Sequence, residues 1–157
     1  MVGKLAATPA HPTLSFLNFS QNRIGGKTAE IFAAPFFSRV VTVDLYGNPL
    51  GEAGLAKLAA AELPRLERLK LHRVDATTKG VAGLVVAPFA RRLTHLDLGW
   101  NDALDDGVAR VLVEADLPRL EALFVPERKL GKAAIAALRA RFPNVPADYV
   151  DVFRARS

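Results

Sequence analysis

The sequence predicts an α/β solenoid, a horseshoe-shaped arc with one parallel β-sheet on its concave face and a row of helices on its convex face. Three observations predict it. The pattern apolar-x-x-apolar-x-apolar returns five times, starting at Leu14, Val40, Leu66, Leu93 and Leu120. The step between starts is 26 or 27 residues, a period that marks stacked units none of which buries its own apolar face alone. After the pattern, each unit carries a second segment with a proline at or near its end.

The strands come first in each unit. The apolar sets are Leu14/Leu17/Phe19, Val40/Val43/Leu45, Leu66/Leu69/Leu71, Leu93/Leu96/Leu98 and Leu120/Leu123/Val125. In each, the last two positions are two apart, as on one face of a strand. A chain that returns through a helix after every strand pairs those strands in parallel and in sequence order. Three places after the last apolar residue stand Asn22, Asn48 and Asn101, while the third and fifth units put Val74 and Arg128 there. An asparagine amide satisfies backbone groups where the chain leaves a strand, which neither valine nor arginine reproduces. Those two turns are therefore expected to be looser or differently bonded.

Six residues beyond the asparagine position a small residue opens the second segment: Thr28, Gly54, Gly80, Gly107 and Ala134. Leu55, Leu58, Ala59 and Leu63 then line one side in the second unit, and Ile135, Leu138 and Phe142 in the fifth, which is helical spacing. Pro35, Pro64, Pro88, Pro118 and Pro143 are expected to stop these helices, since proline has no amide hydrogen and disfavours helical geometry in the residue before it. One strand and one helix per unit follow. Units one and three end in Ala-Pro-Phe at Ala34-Pro35-Phe36 and Ala87-Pro88-Phe89, whereas two and four end in Leu-Pro-Arg-Leu at Leu63 to Leu66 and Leu117 to Leu120, as in a duplicated two-repeat block. A further set, Ala147, Val150 and Val152, continues the step and predicts a terminal strand over 147–153. The whole chain, 1–157, then reads as one domain with residues 1–13 as an N-terminal cap.

This stretch of LxxLxLxxN type followed by a helix resembles the ribonuclease-inhibitor-like class of leucine-rich repeats. Asn48-Pro49-Leu50-Gly51-Glu52-Ala53-Gly54 is its best single match, and is also similar to repeats of bacterial repeat-companion proteins. The resemblance covers most of the chain. It implies a horseshoe fold and the binding of other proteins along the concave sheet.

Composition bounds the function. With half of its 157 residues hydrophobic, the chain can bury a continuous core. It has no cysteine, which excludes disulfides and thiolate metal sites and allows a cytoplasmic location. Met1 to Pro12 has no apolar run fit for a signal peptide, and no uninterrupted apolar stretch of about 18 residues suggests a membrane span. The formal charge is +5 with a pI near 9.9. However, Arg65, Arg68, Lys70, Arg73 and Lys79 are interspersed with Glu62, Glu67 and Asp75, the pattern of a solvated mixed-charge face. With no nucleic-acid motif in the chain, a protein partner is expected rather than nucleic acid.

Between the apolar strand positions, the alternate side chains form columns across the concave face. One column reads Asn18, Asp44, Lys70, Asp97 and Phe124. The column two residues earlier reads Phe16, Thr42, Arg68, His95 and Ala122, and the column two residues later reads Ser20, Tyr46, His72, Gly99 and Pro126. The middle of the face is polar and its ends are aromatic. Trp100, the single tryptophan, lies just past the fourth strand beside the place Arg73 takes in the previous unit. It either covers the Asn101 turn or meets a partner, Trp and Tyr being enriched at binding hot spots.

The expected partner-binding residues are therefore Tyr46, Lys70, His72, Asp97 and Trp100, with Tyr46 and Trp100 exposed and Lys70 held between Asp44 and Asp97. The alternative is a structural scaffold, or a fragment of a longer array, with no ligand of its own. A remote third option is hydrolytic or metal chemistry at His72, His95 and Asp97. No serine or cysteine nucleophile stands among these residues, and an open sheet face does little to exclude water. Gly25-Gly26-Lys27-Thr28 echoes a phosphate-binding loop but lacks the upstream glycine which that motif requires. No enzyme activity, catalytic residue, metal or cofactor is expected.

Overall fold

The computed structural model describes residues 13–143. The expected cap at 1–13 lies almost entirely outside them, and the expected strand at 147–153 lies wholly outside. Strands β1 (Phe16–Asn18), β2 (Thr42–Asp44), β3 (Arg68–Lys70), β4 (His95–Asp97) and β5 (Ala122–Phe124) form one sheet in chain order. Every neighbouring pair is parallel. Leu17, Val43, Leu69, Leu96 and Leu123 share one row, so the register is the one the spacing demands. Helices α1 (Gly51–Ala59), α2 (Thr78–Val85), α3 (Asp106–Glu114) and α4 (Lys132–Arg141) pack neighbour on neighbour along the sheet. The fold is an α/β leucine-rich repeat solenoid.

Each helix begins one to three residues before the small residue expected to open it. The reason is capping in two of them. The Thr77 hydroxyl accepts the Gly80 amide at 3.1 Å and the Asp105 carboxylate accepts the Gly107 amide at 3.0 Å, satisfying donors that a helix start leaves open. The small residues sit inside the first turn because neighbours crowd it. A Cβ on Gly80 would come within 2.7 Å of Leu55, and one on Gly54 within 2.8 Å of Leu50.

The first unit departs from the expected single helix. It has two short 3-10 helices, Ala29–Ala33 and Pro35–Arg39. Pro35 holds Ala34 extended (φ −70°, ψ 140°) and then occupies the first position of the second turn, where its missing amide is no loss. Pro35 therefore starts a segment as well as ending one. The turns place Phe32, Phe36 and Phe37 in the core, with the Phe36 and Phe37 rings stacked at 4.8 Å and Phe19 packed on both. The other Ala-Pro-Phe unit also makes a short 3-10 turn, Ala90–Arg92. The alternating unit endings are thus visible in the backbone.

The asparagines show why the Val74 turn, which has none of its own, is still ordered. Asn101 Nδ2 donates to the carbonyls of Leu71, Leu98 and Gly99, while its Oδ1 accepts the amides of Val74 and Ala76. One side chain thus closes the turns of both the third and fourth units. Asn48 does the same for the first two units, donating to Phe19, Leu45 and Tyr46 and accepting from Asn22 and Ile24. Both are fully buried. The Val74 turn is accordingly not loose, because the next unit's asparagine bonds it and Val74 fills the core. Asn22 is exposed and bonds only Ser20 through its side chain.

Behind the sheet, Leu45, Leu69, Leu71, Leu96 and Leu98 have no accessible surface. Burial of such a side chain stabilises by ~2 kcal/mol. This continuous core makes the strand exits rigid platforms.

Candidate functional site

At the end of three strands the same local device recurs. Asn18, Asp44 and Asp97 each accept, through a side-chain oxygen, the backbone amide two residues on, at 2.8 Å, 2.9 Å and 2.8 Å. These Asx turns aim the next residues outward from the sheet. The position that follows is left-handed in four successive units: Gln21 (φ 59°), Gly47 (φ 69°), Arg73 (φ 55°) and Trp100 (φ 55°). Only Gly47 is free of the steric penalty that conformation carries.

The turns bring three rings together. The Tyr46 and His72 rings meet edge-on at 5.4 Å, and His72 stacks on Trp100 at 6.0 Å with 27° between planes. Gly99 is what makes room, since a Cβ there would lie 2.9 Å from His72 Nδ1 and 3.0 Å from Asp97 Oδ1. The Arg128 guanidinium lies over the Trp100 ring at 4.9 Å and pairs with Asp102 at 3.2 Å. Trp100 nevertheless remains 60% exposed, while Tyr46 is half-buried.

The charged residues sit deeper. Lys70 Nζ reaches Asp44 at 3.5 Å, with both side chains nearly buried, and lies 5.9 Å from the Tyr46 ring centre. Asp97 faces Lys70 across the strand register. It is fully buried, and its Oδ2 stands 3.4 Å from His72 Nδ1. Asp97 therefore supports the His72 ring from below and has no accessible surface for a direct contact.

Tyr46, Lys70, His72 and Trp100 line one cleft of about 700 Å³, and Asp97 is not in its wall. Arg73 and Gly99 also line it, and the opposite wall comes from the fifth unit: Leu123 and Phe124 on β5, Pro126 and Arg128 after it, and Ile135, Leu138 and Arg139 on α4. The volume is that of a ligand-sized concavity. The residues expected from the sequence to bind a partner do not include this second wall. Arg128 had a signal, since it stands where an asparagine is expected, one unit beyond Asn101. Arg139 and Ile135 had none, because only the packing of α4 brings a helix side chain to the sheet rim.

His95 takes no part in this cleft. Its ring Nδ1 lies 2.9 Å from the Thr94 hydroxyl. Burial, then Arg68, lower its pKa below the usual 6.5, with Glu121 opposing. A depressed histidine pKa means the unfolded chain binds more protons between the two values, so this stability is present above about pH 6.5 and is lost as pH falls through the folded value. His95→Gln is expected to flatten the fall of Tm on acidification from about pH 7 to 5. An unchanged slope in thermal melts would refute this. Among the described residues, no group of three or more His, Asp or Glu is placed to hold a metal ion. Nor, among them, is any helix long and apolar enough to cross a membrane.

Comparison with known proteins bears on the scaffold. A family model described as Leucine Rich repeat matches residues 91–109, which include β4 and the start of α3. The tropomodulin C-terminal domain of Caenorhabditis elegans is a similar solved structure. It has a TM-score of 0.67 at 13% identity, over 91% of this chain and 89% of that one. At that identity the likeness concerns the fold alone. No curated protein matches the chain by sequence.

Proposed function

The chain is a leucine-rich repeat protein, and from that premise we propose that it is a protein-interaction module which holds its partner at the cleft beside Trp100. The observation that carries this reading is Trp100 itself. A large apolar ring stands 60% exposed on a left-handed backbone, a conformation that costs a non-glycine residue about 1 kcal/mol or more. Its surroundings are preorganised, with His72 stacked on it and seated on buried Asp97, and Arg128 laid over it. Rigid aromatic and arginine anchors at a concave mouth are what binding hot spots consist of.

In this reading Tyr46, Lys70, His72 and Trp100 meet the partner, and Asp97 positions His72. The whole of 1–157 acts as one domain of the ribonuclease-inhibitor-like class. The lack of cysteine suits a cytoplasmic setting. The test is capture of a partner from native cell extract by the wild-type chain and by a Trp100→Ala/Tyr46→Ala variant. The variant is expected to lose the partner while keeping its melting temperature. Equal capture by both would move the contact off this cleft and favour a scaffold without a ligand of its own.

A further inference from the structure

Resting on that reading, we propose that the cleft takes an acidic peptide segment bearing an aromatic or aliphatic anchor. Charge is the first argument. Lys70, Arg73, Arg128 and Arg139 line the cleft, and Glu127 is the only carboxylate among the described lining residues. Arg128 pairs with Asp102 and Arg139 with Glu127, but all four groups are between 44% and 70% exposed. Such pairs are weak in water, so an incoming carboxylate exchanges for them readily.

The floor is the second argument. Leu123, Phe124, Ile135 and Leu138 give the cleft an apolar base, where an anchor side chain leaves water. An anchor side chain then reaches the apolar floor while the carboxylates of the same segment meet the cationic rim. A single-stranded nucleic acid would match the cations but needs a free ring face for stacking, and the Trp100 ring is already engaged by His72 and Arg128.

The test uses the full chain and fluorescence anisotropy of a labelled synthetic peptide alternating Asp with Phe and Val. The same peptide with Asn for Asp and an oligothymidine serve as the other probes. The acidic peptide is expected to bind and to shift the emission of the single tryptophan. The Asn peptide should bind about ten-fold or more weakly, and Arg128→Glu/Arg139→Glu should weaken the acidic peptide by a similar factor, with salt reducing affinity in step. Lys57→Glu/Arg110→Glu makes the same change in net charge on α1 and α3 and should leave binding as it was. Equal binding of both peptides, equal loss in the control variant, tighter oligothymidine binding, or a dimer by light scattering that Arg128→Glu/Arg139→Glu dissolves would each overturn the proposal. Trp100-dependent capture of a protein together with no preference for the acidic peptide would overturn this inference alone and leave the interaction module standing.

Discussion

Asn101→Ala is expected to lower the stability of the chain by about 4 kcal/mol, since two buried amides and three carbonyls lose one shared partner and each stranded group costs roughly 1–3 kcal/mol. In a chain of this size that is a drop in Tm of about 10 °C. The amides are those of Val74 and Ala76, and the carbonyls those of Leu71, Leu98 and Gly99. Alanine leaves a cavity too polar to stay dry and too enclosed to hydrate freely. Asn101→Asp should fare little better, because it keeps the acceptor, removes all three donor bonds and buries a charge. Asn22→Ala, at the equivalent position but exposed, should change stability by less than about 0.5 kcal/mol. Denaturant melts of the three variants decide the matter: an Asn101→Ala protein within about 1 kcal/mol of wild type would show that the turn does not depend on the clamp.

The second large effect is on binding. Trp100→Ala should weaken partner affinity by about 2 kcal/mol or more, close to thirty-fold, the scale of a hot-spot aromatic. Its effect on thermal stability should be small. The indole is 60% exposed, so little apolar burial is lost, and the left-handed turn at φ 55° is no better suited to tryptophan than to alanine. Trp100→Gly separates the two effects further: it should lose the same affinity yet relax the backbone by about 1 kcal/mol. Calorimetric titration against the captured partner, beside a thermal melt of each variant, measures both quantities. A Tm loss of many degrees on Trp100→Ala, with affinity retained, would make the indole a cover for the Asn101 turn rather than a contact.

Much of the architecture was legible because it is periodic. Leu69 and Leu96 lie in one row because their units are 27 residues apart, and a strand in a stacked unit has one register that buries its apolar face. The columns through Asp44, Lys70 and Asp97 followed from the same arithmetic and appear as neighbours in the sheet. The first unit departs from the single helix that the spacing predicts, because Pro35 starts a segment as well as stopping one. A proline also fits the first position of a new turn, and three phenylalanines there reward two tight turns over one helix.

The sequence by itself determined the repeat, the strand order, the register and which side chains leave the sheet on its open face. Only the tertiary structure decided that Asp97 is buried under His72, that Asn101 serves the Val74 turn of another unit, and that α4 supplies a second wall to the Trp100 cleft. The division has a physical cause. Register depends on spacing along the chain, which a sequence records directly. Burial and hydrogen-bond partnership between units depend on how side chains more than 20 residues apart share a small volume. Here an absent side chain at Gly99 and the packing of one terminal helix settle where the rings and charges come to rest.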